Sequence, residues 1–247
     1  MAKNTMLLYG KNSVLERLKA TPATIRKVFL AEGFDLSAVR GPLKEHGIEY
    51  ECMNARELSK IKGAKDLQGI VARVEKFRYA PFSELVETES GEPPTLVFLD
   101  RVNDPQNLGV IIRIAACFGR TALIIPKFHA CEVNETVLHV ASGGENYVPI
   151  SLVSNLSSSI IAAKKRGYWI MGAVVDNDAQ DIGTLSLPFP LALVLGSEGE
   201  GVRYGVEKHL DIKARIPMDG APLSFNVSMA SAILLYEINR QRKEPSS

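Results

Sequence analysis

Four runs constrain this chain more than anything else in it: TLVFLD (95–100), TALIIP (121–126), YWIMGAVV (168–175) and LALVLG (191–196). Each has strand length and is apolar almost throughout, with no polar alternation to mark a wet face. Such strands belong in a parallel sheet covered on both sides. LGVIIRIAACFG, stopped at Gly119, reads as a helix between the first two, and IKARIPM (212–218) as a further strand. Residues 95–247 are therefore expected to form an α/β domain on a parallel sheet. Trp169, inside one of the runs, is expected in its core.

The first 77 residues follow a different rhythm. NSVLERLKA, LSAVRGPLKEHG and ARELSKI carry helical spacing, and IRKVFLA, IEYECM and GIVARVEKF read as strands. This predicts a small α/β module over 1–77. It carries fourteen Lys and Arg against nine Asp and Glu, whereas the remainder carries fifteen against nineteen. A basic module on a mildly acidic body fits a polyanion-binding attachment. Lys11, Arg26, Lys60, Lys62 and Lys65 are its candidate phosphate contacts. Between the halves, RYAPFSELVETESGEPP (78–94) is acidic, holds three prolines and offers little to bury. It reads as a linker.

Other classes find no support. No apolar run approaches the roughly 20 residues of a membrane helix, and the start lacks a signal-peptide layout. Three cysteines, Cys52, Cys117 and Cys131, encode no disulfide framework, so a reducing cytoplasm is the expected compartment. His129, Cys131 and His139 lack a paired ligand motif, and no metal site is expected.

Ligands of open parallel sheets usually bind beyond the C-terminal strand ends. Three loops there carry chemistry. DRVNDPQNLGVIIRIA places Asn107 at a helix start and Arg113 six residues on. LALVLGSEGEGV ends a strand in Gly196-Ser197-Glu198-Gly199-Glu200-Gly201, where three glycines imply positive φ or close backbone approach. Neither G-x-G-x-x-G nor the Walker pattern is present. IPMDGAPLSFNVSMASAILLYE sets Ser224 and Asn226 before the last helix, where either could cap it.

In this order, the three loops resemble the motifs of the SpoU/TrmH family of RNA ribose 2′-O-methyltransferases, within the SPOUT superfamily. LLYGKNSVLERL, VFLAEG and LQGIVARVE resemble the substrate-binding domain found in many members. The arrangement is similar to the branch acting on a guanosine of 23S ribosomal RNA. The resemblance implies a deep trefoil knot in the C-terminal domain, an exception to the usual rule, and a domain like ribosomal protein L30e before it. It also implies bound S-adenosylmethionine, a homodimer, and RNA as the partner. Carried over by motif, Gly196, Ile216 and Phe225 contact the cofactor, and Asn107, Arg113, Glu198, Ser224 and Asn226 are active-site residues. Phe225 departs from the family's usual leucine, and KDLQGIVA lacks a histidine often found before its Gln-Gly pair.

Two roles fit Arg113: a general base, or a group that holds an RNA phosphate and stabilises a developing alkoxide. A guanidinium pKa above about 12 favours the second. The same reaction on transfer RNA is one alternative function. A non-catalytic RNA-binding or ribosome-assembly factor is another.

Overall fold

The computed structural model describes residues 4–64, 66–87, 92–176, 178–197, 199–221 and 223–243. Along the chain, β1 (Thr5–Tyr9) leads to α1 (Lys11–Ala20), β2 (Ile25–Ala31), α2 (Arg40–Glu45), β3 (Tyr50–Met53), α3 (Ala55–Ile61) and β4 (Ile70–Glu75). Next come α4 (Phe82–Val86), β5 (Thr95–Leu99), α5 (Pro105–Phe118), β6 (Thr121–Pro126), α6 (Glu135–Ala141) and β7 (Ile150–Val153). The rest is α7 (Leu156–Lys165), β8 (Trp169–Ala173), β9 (Gln180–Asp181), β10 (Leu191–Leu195), α8 (Tyr204–Glu207), β11 (Ile212–Arg215) and α9 (Val227–Lys243). These elements form two compact units, Met1–Arg78 with Val133–Tyr147, and Tyr79–Glu132 with Val148–Ser247.

The first unit is a four-stranded sheet in the order β1-β4-β2-β3, antiparallel except for the β2–β3 pair. Leu8, Val28, Leu30, Val71 and Val74 bury the sheet, and α1 adds Val14 and Leu18. Residues 133–147 complete this unit from a distant part of the chain. Glu135 accepts a bond from the Leu7 N–H at 2.7 Å, and His139 stacks on Tyr9 with ring centroids 4.3 Å apart. Arg17 and Glu145, both buried, pair at 2.9 Å. Burial pushes the Glu145 carboxyl up against the opposing pull of Arg17. Of the candidate phosphate contacts, Arg26 pairs with Glu75 and Lys62 with Glu135. Lys65 lies outside the described residues.

The second unit is a seven-stranded sheet, β7-β6-β5-β10-β8-β11-β9, parallel at every pairing. β5, β6 and β10 are buried along their whole length, as unbroken apolar runs require. From β5 the chain builds outward to β6 and β7, then returns to build β8 and β10 on the other side. That reversal falls between β5 and β10, and ligands of such sheets bind beyond the C-terminal strand ends.

Three local readings differ from the structure, and Thr5–Tyr9 is a strand that the sequence reading did not include. The helix expected over 36–47 is a 3-10 turn, Leu36–Ala38, followed by α2. Pro42 is tolerated only in a first helical turn, so the helix must restart just before it. Trp169 is 48% exposed, because its neighbour Tyr168 takes the inward place and donates to the Pro94 carbonyl at 3.2 Å. Finally, Leu85 and Val86 of α4 are buried in the second unit's core, so the acidic stretch 78–94 does bury side chains. Among the described residues, no helix is long and apolar enough to cross a membrane.

Candidate active site

All three strand-end loops belong to the second unit. β10 stops at Leu195, and the chain at once folds back on itself. Ser197 and Gly201 exchange backbone hydrogen bonds of 3.2 and 3.0 Å. A Cβ on Gly196 would stand 2.1 Å from the Gly201 carbonyl carbon, so only glycine lets the returning strand lie this close. Gly201 has a φ of +62°, the left-handed region that favours glycine. Gly199 meets neither demand.

At α5, the cap is Asp104 rather than Asn107. The Asp104 side chain accepts from the Gln106 N–H at 2.9 Å, with Pro105 in the first helical position. Asn107 is thereby released from capping; it is buried, and its side-chain oxygen accepts from Asn226 Nδ2 at 3.0 Å. At α9, Asn226 is the cap. Its carbonyl accepts from Ala230 at 2.9 Å, and its side-chain oxygen from the Ser228 N–H and hydroxyl at 2.8 and 2.6 Å. One asparagine therefore starts α9 and ties it to the first turn of α5.

Beside this junction lies a cleft of about 690 Å³, within the range of small-ligand sites. The residues following β8, β10 and β11 wall it, and Gly196, Ile216, Ser224 and Phe225 all line it. Its apolar wall includes Leu195, Val227 and Ala230. Its charge is acidic, with Asp176, Glu200, Glu207 and Asp219 against Arg215. Lys213 reaches Glu207 at 2.8 Å and Asp176 at 3.1 Å from behind the rim. Those contacts, Glu207 first, hold its ammonium above the ordinary lysine value. An apolar slot bordered by backbone and carboxylates suits a nucleoside that carries positive charge, and the expected cofactor is of that chemistry.

The structure does not bring every expected residue to the cleft. Arg113 stands exposed on α5 and is absent from the cleft wall. Six residues along a helix turn a side chain about 120° away from Asn107. Among the described residues, Arg113 has no ion pair, so its guanidinium is open to a ligand. Glu198 lies outside the described residues.

Residues near the cleft that motif reading missed include Asp176, Lys213, Asp100 and Arg203. A signal existed for Asp100: a carboxylate closing a wholly apolar strand is either at a site or paired. Asp100 is fully buried, and Arg203 Nε donates to it at 2.8 Å.

Comparison with known proteins bears on the whole chain. Residues 94–236 match the SpoU rRNA Methylase family, and residues 7–80 match the RNA 2′-O ribose methyltransferase substrate binding domain. The 23S rRNA (guanosine-2′-O-)-methyltransferase RlmB of Coxiella burnetii is 36% identical, covering 97% of each chain. YacO of Bacillus subtilis, a TrmH-family protein whose name spans tRNA and rRNA, is 32% identical over 98% of each. Among solved structures, the SpoU methyltransferase AviRb of Streptomyces viridochromogenes, in complex with AdoMet, superposes with a TM-score of 0.80. It is 23% identical, over 97% of this chain and 91% of that one, and the likeness is one of fold.

Proposed function

This chain belongs to the SpoU rRNA methylase family, and on that premise we propose that it transfers a methyl group to a ribose 2′-hydroxyl of ribosomal RNA. A 23S guanosine is the target favoured by full-length relatives such as RlmB. The observation that carries the reading is the Asn107–Asn226 bond beside a cleft lined by Ser224 and Phe225. It gathers residues from the first and last loops, 119 positions apart, at the mouth of the second.

S-adenosylmethionine, when bound, supplies a methyl group activated by a sulfonium charge. Gly196, Ile216 and Phe225 would hold it, and Asp219, the lining carboxylate with no ion pair among the described residues, favours its positive charge. Asn107, Ser224 and Asn226 orient the ribose, and the motif gives Glu198 an active-site role as well. Arg113 holds an RNA phosphate and stabilises the hydroxyl oxygen as its proton passes to solvent water; an ordinary guanidinium is too weak a base to take that proton. Alignment of nucleophile and methyl can itself lower the barrier by roughly 7–11 kcal/mol in favourable cases.

Residues 1–77 carry the RNA-binding domain, a fold like ribosomal protein L30e, and 95–247 the knotted catalytic domain, with 78–94 between them; within that frame 133–147 returns to the first unit, and Leu85 and Val86 pack into the second. The enzyme works in the cytoplasm as a homodimer. Met229 and Tyr236, each about 60% exposed one heptad apart on α9, give the second unit an apolar face for a second copy. Phe118 of α5 meets Tyr236 edge-on at 6.4 Å and extends that face.

The test is methyl-labelled cofactor with unmodified ribosomal and transfer RNA in parallel, followed by digestion to nucleosides. Labelled 2′-O-methylguanosine from ribosomal RNA is expected. Label in transfer RNA alone would move the substrate to the other class. No transfer and no cofactor binding would leave a non-catalytic RNA-binding protein.

A further inference from the structure

We infer that Asp100 and Arg203 form a latch that sets the shape of the cofactor cleft, a positioning role for two residues that do not line it; the inference rests on the reading of the cleft above. Asp100 grips both ends of the loop from Gly196 to Val202. Its backbone N–H donates to the carbonyl of Leu195, just before the loop, at 2.8 Å. Its Oδ2 accepts from the backbone N–H of Arg203, just after the loop, at 2.9 Å. Oδ1 accepts from Arg203 Nε at 2.8 Å and lies 2.7 Å from Nη2. Most of the bracketed loop faces the cleft.

The latch reaches further than the loop. The Arg203 carbonyl accepts from the N–H groups of Val206 and Glu207, both at 2.8 Å, so fixing Arg203 also fixes the start of α8. Glu207 on that helix lines the cleft. Arg101, next to Asp100, pairs with Glu200 near the loop's tip. The end of β5 thus holds the cleft loop at base and tip, and the same chain runs on into α5 and Asn107.

The chemistry demands a carboxylate. Asp100 is fully buried and three N–H groups converge on it, and a buried carboxylate is tolerable only when partnered in this way. Asparagine would offer one acceptor and one NH₂, which would face a donor. The Arg203 side chain, by contrast, is 41% exposed. The core gains little from it, and its geometry serves the loop.

The test uses the full-length protein with Arg203→Lys, which keeps a charge for Asp100 but loses the fork, and with Asp100→Asn. Cofactor binding is measured by calorimetry, amide hydrogen exchange without cofactor, and steady-state kinetics with RNA. The latch predicts roughly tenfold weaker cofactor binding in each. It also predicts faster exchange at Ser197 and Gly201 with β5 and β10 unchanged, and a raised cofactor KM at an RNA KM near wild type. If both variants bind cofactor as wild type does, or lose only melting temperature with exchange at the loop unmoved, the latch is wrong. Wild-type protein that binds no cofactor removes the reading of the cleft itself, and the latch with it.

Discussion

The side-chain amide of Asn226 donates to Asn107 at 3.0 Å while its oxygen caps α9. One residue thus serves helix initiation with one atom and the site with another, and the two roles can be separated by substitution. Asn226→Asp keeps the acceptor for Ser228 but replaces the donor facing Asn107 with another acceptor. Melting temperature should stay near wild type while methyl transfer collapses. Asn226→Ala removes both roles, and should add a stability loss of about 1 kcal/mol. Thermal melts beside single-turnover rates would show the split; an Asn226→Asp protein that keeps both its melting temperature and its turnover would mean that capping is the whole purpose of Asn226.

Ser224 lines the cleft and is exposed, and among the described residues the cap of α9 is Asn226. Ser224→Ala should therefore leave stability within about 0.5 kcal/mol of wild type and lower turnover. A stability loss comparable to that of Asn226→Ala would contradict this assignment.

Gly196 lies under the returning backbone of its own loop. Gly196→Ala forces Gly201 and Val202 away, an overpacking that should cost about 1–3 kcal/mol. Because that backbone lines the cleft, cofactor affinity should fall more than RNA affinity in paired titrations.

Glu237 and Arg240 pair on α9 at 2.7 Å. The bond from Arg240, with a further one from Gln241, holds the Glu237 carboxyl below the usual carboxylate range. Its contribution is thus present above the unfolded pKa of about 4.3 and is lost as pH falls through the lower native value. For an i,i+3 pair on a helix surface it is small, about 0.3–0.5 kcal/mol. Glu237→Gln should flatten the acid limb of stability against pH below about pH 4.3 and change little at neutrality. A steeper acid limb in urea titrations would reverse the sign.

Much of the architecture was legible because unbroken apolar runs admit few arrangements. The buried lengths of β5, β6 and β10 follow from composition alone. Trp169 failed that logic, since a run says nothing about which residue stands at the strand's open end. The return of residues 133–147 to the first unit was not legible either. Glu135 and His139 meet Leu7 and Tyr9 across about 130 positions, a distance over which periodicity carries no information. In the site, the glycines announced tight backbone correctly at Gly196 and Gly201. The choice between Asp104 and Asn107 as helix cap needed coordinates, because both residue types cap well.

The account turns on Arg113 acting at the RNA while the cleft holds the cofactor. The most direct measurement is an alkaline-hydrolysis ladder of ribosomal RNA after reaction with wild-type protein and with Arg113→Ala, alongside cofactor titration of both. A methylated 2′-oxygen cannot attack its neighbouring phosphate, so each modified position appears as a gap. The account predicts one gap with wild type, none with Arg113→Ala, and equal cofactor affinity in the two. A gap that persists in the variant, or cofactor binding lost with the arginine, would contradict it.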